Sequence, residues 1–367
     1  MKFFSFIFLG LMISGCKTTT VEQQSDTIFY VGTYTKKESK GIYKYSISKN
    51  GKLKNLGLVA ALTNPTFLAK SKDKKVLFAV GETSSEKVGL IRSYQIHTDS
   101  LQLLSKQETG GSGPCFVAVN DKNYVLTANY GGGSVGLLKA NSKGELAPIL
   151  NIQQHEGNGT TDRQKAPHAH STWFHPTKNE VISVDLGTNE LWFSTIDETK
   201  NELVLTNQKA LKMADGAGPR HLTFHPNNKW IYVLNELNNT VSLVKEKENR
   251  YYIENSITTL PTDFTAYSKA ADIHISKDGK FLYASNRGHE SIAIFKVNPK
   301  NGSLKNVGYE SVLGKHPRNF SLSPDNNFLL VANQDSDNIV SFKRNPKTGE
   351  LTLVDEIFAP TPVCVLF

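Results

Sequence analysis

Arg220 and His221, Asn235 and Glu236, Asp272 and His274, and Asn286 and Arg287 form short polar pairs at the ends of otherwise apolar runs. Together they could do chemistry. Arginine grips a carboxylate or phosphate through two parallel N–H donors. A histidine or Glu236 could take a proton near neutral pH. An arginine beside a carbonyl oxygen stabilises the oxyanion that forms on hydrolysis. The set therefore suits a small molecule that is anionic or carries a carbonyl. Two plainer readings stand beside this one. Glu236, Arg220 and Arg287 could be structural ion pairs, and Asp272-x-His274 could be a metal pair, although strand alternation gives the same spacing. The chain has no P-loop, which argues against that mechanism.

Elements of a regular kind must position these residues. Gly216–Val241 holds two apolar runs, Leu222–Phe224 and Trp230–Leu234, about the turn-forming cluster His225–Lys229, and this is a β-hairpin pattern. Pairing about its centre places Arg220 and His221 level with Asn235 and Glu236. The same hairpin recurs from Pro65, Pro114, Pro167, Ala271 and Pro317, at intervals of about 50 residues. A seventh copy is split. Pro362–Phe367 matches a first strand with nothing after it, and Ile28–Tyr34 matches a second strand with nothing before it. Each copy adds two more strands, such as Ser291–Val297 and Leu304–Ser311. The pattern predicts an all-β, seven-bladed β-propeller with four antiparallel strands per blade, its ring closed by the C-terminal strand joining the N-terminal blade.

In such a ring one rim collects His168 and His170 with Asp185, Arg220 and His221 with Asn235 and Glu236, Asp272 and His274 with Asn286 and Arg287, and Arg318 with Asn333. The longer connections Asn151–Ala166, which contains Arg163, and Thr258–Ala270 fall at the same rim. The opposite rim holds short turns. His175-Pro176 and His225-Pro226 lie there and are read as turn chemistry, because Ser323-Pro324 occupies the same place in its own copy.

The 367 residues carry a net charge of +8 and a pI of about 9.1. The early lysines fall at turns and read as a solvated face. Arginine and exposed aromatics are not interleaved with them, so no nucleic-acid partner is expected. At the N-terminus Lys2 precedes the apolar run Phe3–Ile13, which is too short to span a bilayer. Ile13-Ser14-Gly15-Cys16 resembles the lipobox of bacterial lipoproteins. The expected organisation is a signal peptide over 1–15, a flexible tether over 16–26 with a lipidated Cys16, and the propeller over 27–367. The membrane would be met only through that anchor, in the cell envelope facing the periplasm or the exterior. Cys115 and Cys364 fall in non-adjacent repeats and are expected as two buried thiols.

Gly216-Ala217-Gly218-Pro219-Arg220-His221, Asn235-Glu236-Leu237, Ala271-Asp272-Ile273-His274, Ser285-Asn286-Arg287, Pro167-His168-Ala169-His170-Ser171 and Arg163-Gln164 together resemble motifs of the lactonase family of seven-bladed propellers. That family includes the propeller-type 6-phosphogluconolactonases and the carboxy-muconate lactonizing enzymes. The resemblance covers essentially the whole chain after the tether. It implies lactone chemistry without metal or other cofactor, on a small-molecule lactone partner. It places the active-site set on His170, Arg220, Glu236 and Arg287, with His168 a near-equivalent to His170. His221, Asp272, His274, Arg318 and Arg163 would surround the substrate. On this reading the two arginines hold the acid group and polarise the carbonyl, while Glu236 and His170 activate water. The family default is 6-phosphogluconolactone, and an exported copy would meet unphosphorylated sugar lactones instead. A non-enzymatic propeller binding a glycan or protein, a lactone-forming cycloisomerase and a metal-dependent sugar lactonase are the alternatives.

Overall fold

The computed structural model describes residues 1–4, 26–83 and 88–367. The expected lipidation site Cys16 and most of the expected signal peptide and tether lie outside the described residues. Seven four-stranded antiparallel sheets follow one another around a ring, as the repeats predict. From blade 1 to blade 7 the innermost strands are Pro362–Leu366, Pro65–Lys70, Pro114–Val119, Ala169–Phe174, Pro219–Phe224, Lys269–Ile275 and Pro317–Leu322. Blade 1 is the composite one: Pro362–Leu366 pairs antiparallel with Thr27–Thr33, so the two ends of the propeller seal one sheet. Among the described residues helix is limited to one 3-10 turn, Asp162–Gln164.

The second strand of each blade is a continuous apolar run rather than an alternating one. Tyr124–Asn129, Trp230–Asn235 and Phe328–Asn333 are buried along their whole length. Burial on both faces is the reason, because each blade is covered by a neighbour on either side. Seven apolar clusters fill the seven gaps between blades. Trp230, Tyr232 and Leu234 of blade 5, for example, meet Leu282, Ala284 and Phe295 of blade 6. Each such side chain contributes roughly 1.5–3 kcal/mol by leaving water. The fourth strands alternate buried and exposed positions, as a sheet edge facing solvent does; Leu351–Phe358 is one.

The hairpin register differs from the expected one by one residue, and the difference repeats around the ring. Pro219 pairs with Asn235, yet His221 pairs with Leu234, so Arg220 is an extra residue in a β-bulge. Thr66, Cys115, His170, Arg318 and Val363 are the extra residues of their own blades. In blade 6 the bulge spans Ala271 and Asp272. An extra residue bends its strand and re-aims its side chain. Here it does so at one level of every innermost strand.

The turns of the opposite rim are built as expected. Asn123, Asn228 and Asn326 take positive φ there, which asparagine tolerates. The His175 and His225 rings accept the turn N–H groups of Thr177 and Asn227. In the corresponding turns Asp278 and Asp325 accept from Lys280 and Asn327. Cys115 and Cys364 are free and buried in blades 3 and 1.

Candidate active site

Two columns of residues make the mouth. One is the bulge column. The other is the residue that follows each second strand, or in blade 6 ends it: Tyr34, Glu82, Tyr130, Leu186, Glu236, Arg287 and Gln334. Its backbone position is fixed the same way in blade after blade. The amides of Tyr34, Glu82, Tyr130, Leu186, Glu236 and Gln334 each donate to the carbonyl of a residue just before the innermost strand, and Arg287 pairs with Lys269. Six members of this column, all but Leu186, line a cavity of about 330 Å³ with Cys115, His170 and Arg318 of the bulge column. Arg220 lies beneath, around a small void it shares with Thr66, His221 and Val363.

Glu236 is the centre of the ion pairing. Its Oε2 meets Arg220 Nε at 3.0 Å and Arg287 Nη2 at 2.9 Å, and all three side chains are almost wholly buried. Its Oε1 has only Arg163 Nη2, at 3.5 Å. The arginines are in turn fixed by backbone: Arg287 Nη2 donates to Ala270 O at 2.8 Å, and Arg220 Nη1 donates to Ala271 O. Burial alone would raise the Glu236 carboxyl. Arg287, Arg220 and Arg163 outweigh it and bring the group down to about 2. Arg220, desolvated and facing Arg287 and Arg318, falls to about 10 and keeps its charge at neutral pH.

His170 is 5% exposed and lines the cavity. Burial first, then Arg220, His221 and Arg318, push its pKa well below the usual histidine value, so the ring is neutral. The Cys115 thiol lies 3.8 Å from its Nδ1, and its ring stands edge-on to Tyr130 and His221. His168, its near-equivalent in sequence, is placed differently. It stacks on Tyr130 at 4.5 Å and bonds the Tyr130 carbonyl through Nδ1 at 2.8 Å, above the cavity wall. Bulging brings His170 to the wall and leaves His168 at the rim.

Arg163 reaches the mouth from the loop between blades 3 and 4. Buried Gln164 anchors that loop to Leu186 O and Asn189 Oδ1. Arg163 then extends over the cavity to the Tyr130 hydroxyl at 2.8 Å. The first residues of the expected loop, Asn151–Gln154, are instead the outer strand of blade 3.

His221, Asp272 and His274 form a network below the mouth. Asp272 Oδ1 meets His221 Nδ1 at 2.8 Å, and Oδ2 meets His274 Nε2 at 3.1 Å and Asn319 Nδ2 at 2.5 Å. Both carboxylate oxygens are thus engaged within the protein. Asp185 also turns away from the mouth: it accepts the amides of His168, Gly187 and Thr188 and meets His155 Nδ1 at 2.7 Å. The asparagines Asn129, Asn286 and Asn333 bond loop carbonyls rather than facing the cavity. At the blade 5 rim it is Glu236, and not its neighbour Asn235, that lines the cavity.

Arg318 lines the wall from blade 7. Its guanidinium lies 5.3 Å over the Tyr34 ring and 3.9 Å from Glu82. Burial would lower it, but Tyr34, Glu82 and Glu236 raise it instead. Tyr34, Glu82, Tyr130, Lys269 and His316 are wall residues that the sequence reading does not single out. Tyr34, Glu82 and Tyr130 stand in the same repeat position as Glu236, so that column was the signal. The lining holds five cations, Lys36, Arg163, Lys269, Arg287 and Arg318, against Glu82 and Glu236, so the cavity favours an anion. A larger concavity, about 470 Å³, lies on the opposite rim. Its charged residues are taken up in pairs such as Lys122–Glu198 and Lys178–Glu246.

With this geometry in view, the comparisons with known proteins agree. Residues 28–367 match the family model described as lactonase, 7-bladed beta-propeller. The chain belongs to that family. A 6-phosphogluconolactonase of Bacillus subtilis is 38% identical over 347 residues, covering 93% of this chain and 98% of the relative. A 6-phosphogluconolactonase of Formosa agariphila is 36% identical over 308 residues, 80% of this chain and 85% of the relative. The structure of a Pseudomonas aeruginosa periplasmic gluconolactonase superposes with a TM-score of 0.88 at 30% identity, covering 92% of this chain and 98% of that one.

Proposed function

We propose that this lactonase-family propeller hydrolyses a sugar-type lactone in the mouth cavity. The observation that carries the reading is a carboxylate, Glu236, with one oxygen on two buried arginines and the other toward a cationic cavity whose wall also holds the neutral ring of His170. Both groups are in their proton-accepting forms at neutral pH. Arg287 is the wall cation beside Glu236 that can polarise the lactone carbonyl, and Arg220 backs the Glu236 carboxylate from below. Water attacks the carbonyl carbon, and its proton passes to the Glu236–His170 pair. The ring C–O bond then breaks, and that proton moves to the departing alkoxide. A low pKa makes Glu236 a weak base in the resting site. Negative charge growing on the carbonyl oxygen draws on the same arginines, so the carboxylate gains basicity as the reaction proceeds.

The family default substrate is 6-phosphogluconolactone, and the excess of wall cations suits its phosphate. The lipobox-like Ile13–Cys16 favours a second reading, a lipid-anchored protein of the cell envelope acting on unphosphorylated sugar lactones. A pH-stat assay on 6-phosphoglucono-δ-lactone and glucono-δ-lactone, with and without EDTA, tests both. The expected result is proton release insensitive to EDTA. Because burial and its cationic neighbours hold His170 well below its usual value, kcat/KM should show no fall between pH 7 and 6. An acid limb near 6.5 would show that the group that must be unprotonated titrates in the ordinary histidine range, and would overturn the depressed state of His170. Binding without turnover would instead support a non-enzymatic propeller.

A further inference from the structure

The cavity wall holds two carboxylates, and they stand apart. Its cations are spread around the ring: Lys269, Arg287 and Arg318 come from blades 6 and 7, Lys36 from blade 1 and Arg163 from the loop between blades 3 and 4. Glu82 follows the second strand of blade 2, three blades from Glu236 in blade 5, which is as far apart as a seven-membered ring allows. The Glu82 side chain is 23% exposed and lines the cavity. The Tyr34 hydroxyl holds it, at 3.0 Å from Oε1 and 2.9 Å from Oε2. Burial, in the main, raises the pKa of that phenol, so it keeps its single proton and donates it. Arg318 Nη2 stands 3.9 Å away, beyond hydrogen-bond reach. An ionised carboxylate offers about four acceptor positions, and one phenol proton fills one of them. The Glu82 backbone is fixed by Asn64, whose Nδ2 donates to Glu82 O and whose carbonyl accepts the Glu82 amide. A carboxylate held in this way repels an anion and accepts from neutral hydroxyl donors.

We infer that Glu82, positioned by Tyr34, is the hydroxyl-recognising residue of this site and sets its preference for polyhydroxylated over plain lactones. The inference deepens the lactonase reading and rests on it for turnover. A bound lactone would be oriented with its hydroxyl-bearing face toward blades 1 and 2 and its carbonyl toward Glu236. Glu82 itself takes no part in bond breaking.

The test compares wild type, Glu82→Gln and Tyr34→Phe on glucono-δ-lactone and on δ-valerolactone, which has the same ring without hydroxyls. Glu82→Gln keeps the shape but removes the charge, and hydrogen bonds to charged groups are the strong ones. The expected result is a loss of about 10- to 100-fold in kcat/KM on glucono-δ-lactone, carried by KM. The change on δ-valerolactone should be under about threefold. Tyr34→Phe frees the carboxylate to swing, and should lower the same ratio by a smaller factor. Equal losses on both lactones, or none on either, would overturn the inference. A second readout does not depend on turnover: binding of 1,5-anhydroglucitol, against tetrahydropyran, by ligand-observed NMR. Hydroxyl-dependent binding that vanishes in Glu82→Gln supports the inference even if wild type hydrolyses neither lactone, in which case the lactonase reading alone fails. Binding unchanged by Glu82→Gln, or absent in wild type, overturns it.

Discussion

Glu236 shows how one side chain can serve both fold and chemistry. It neutralises two buried guanidinium groups, and it also presents an oxygen to the cavity. Glu236→Gln should therefore lower lactone turnover by about 10²–10⁴-fold and also destabilise the ring by about 3–5 kcal/mol, since the arginines lose their counter-charge. The pH dependence separates this from a generic core defect. The folded-state carboxyl sits at about 2, below its ordinary value of 4.5. A group depressed in this way adds stability above pH 4.5 and loses it as pH falls from 4.5 toward 2. Wild type and variant should thus converge in thermal stability as pH falls from 4.5 toward 2. A gap that stays constant across that range would contradict the ion-pair account. The resemblance to the lactonase family singled out His170, Arg220, Glu236 and Arg287 as a group; the structure sets Glu236 against Arg220 and Arg287 and puts His170 in the wall of the same cavity as Glu236 and Arg287. What spacing could not show was the level of each. Arg220 lies under the cavity with His221, while Arg318 and Glu82 stand in its wall.

At the scale of the hairpin, the apolar runs and turn residues specified the strands well, because period and turn chemistry are local. The bulge was not legible. One unpaired residue in an innermost strand leaves no mark on hydrophobic alternation at a site where both faces are buried. Asp185 and Asn235, read as part of the charged rim, instead close a turn and bond a neighbouring strand. Gly218 shows what holds the bulge of blade 5. Its φ is +61, and an added Cβ would lie 2.4 Å from the Leu237 side chain. Its carbonyl accepts the Glu236 amide at 2.7 Å, and its own amide donates to Asn189. Gly218→Ala should cost about 1–3 kcal/mol of stability. It should also lower kcat more than it changes KM for δ-valerolactone, because Arg220 and Glu236 both hang on that peptide. Steady-state kinetics with a thermal melt check this; a full-rate enzyme of reduced stability would show that the bulge does not depend on Gly218.

The ring as a whole depends on Pro362–Leu366. These residues pair with Thr27–Thr33, and Val365 also packs with Phe29 and Leu330 between blades 7 and 1. Removing 362–367 would open two blade faces and expose an unpaired strand edge. The truncated chain should aggregate or lose cooperative unfolding in a urea titration; a soluble chain with an unchanged midpoint would mean the closure is dispensable. The closure was readable because the two partial copies at the chain ends complement each other, and no local signal competes with that. The bulge recurring at one level of all seven innermost strands has a separate consequence. The ladder bonds on either side of each extra residue are made by backbone, so the strand pairing itself does not depend on which side chain stands there. Valine, threonine, cysteine, histidine and arginine already occupy the position in different blades. The architecture thus offers a combinatorial address system, one interchangeable letter per blade, in which new ligand preferences can be written while the supporting scaffold stays as it is.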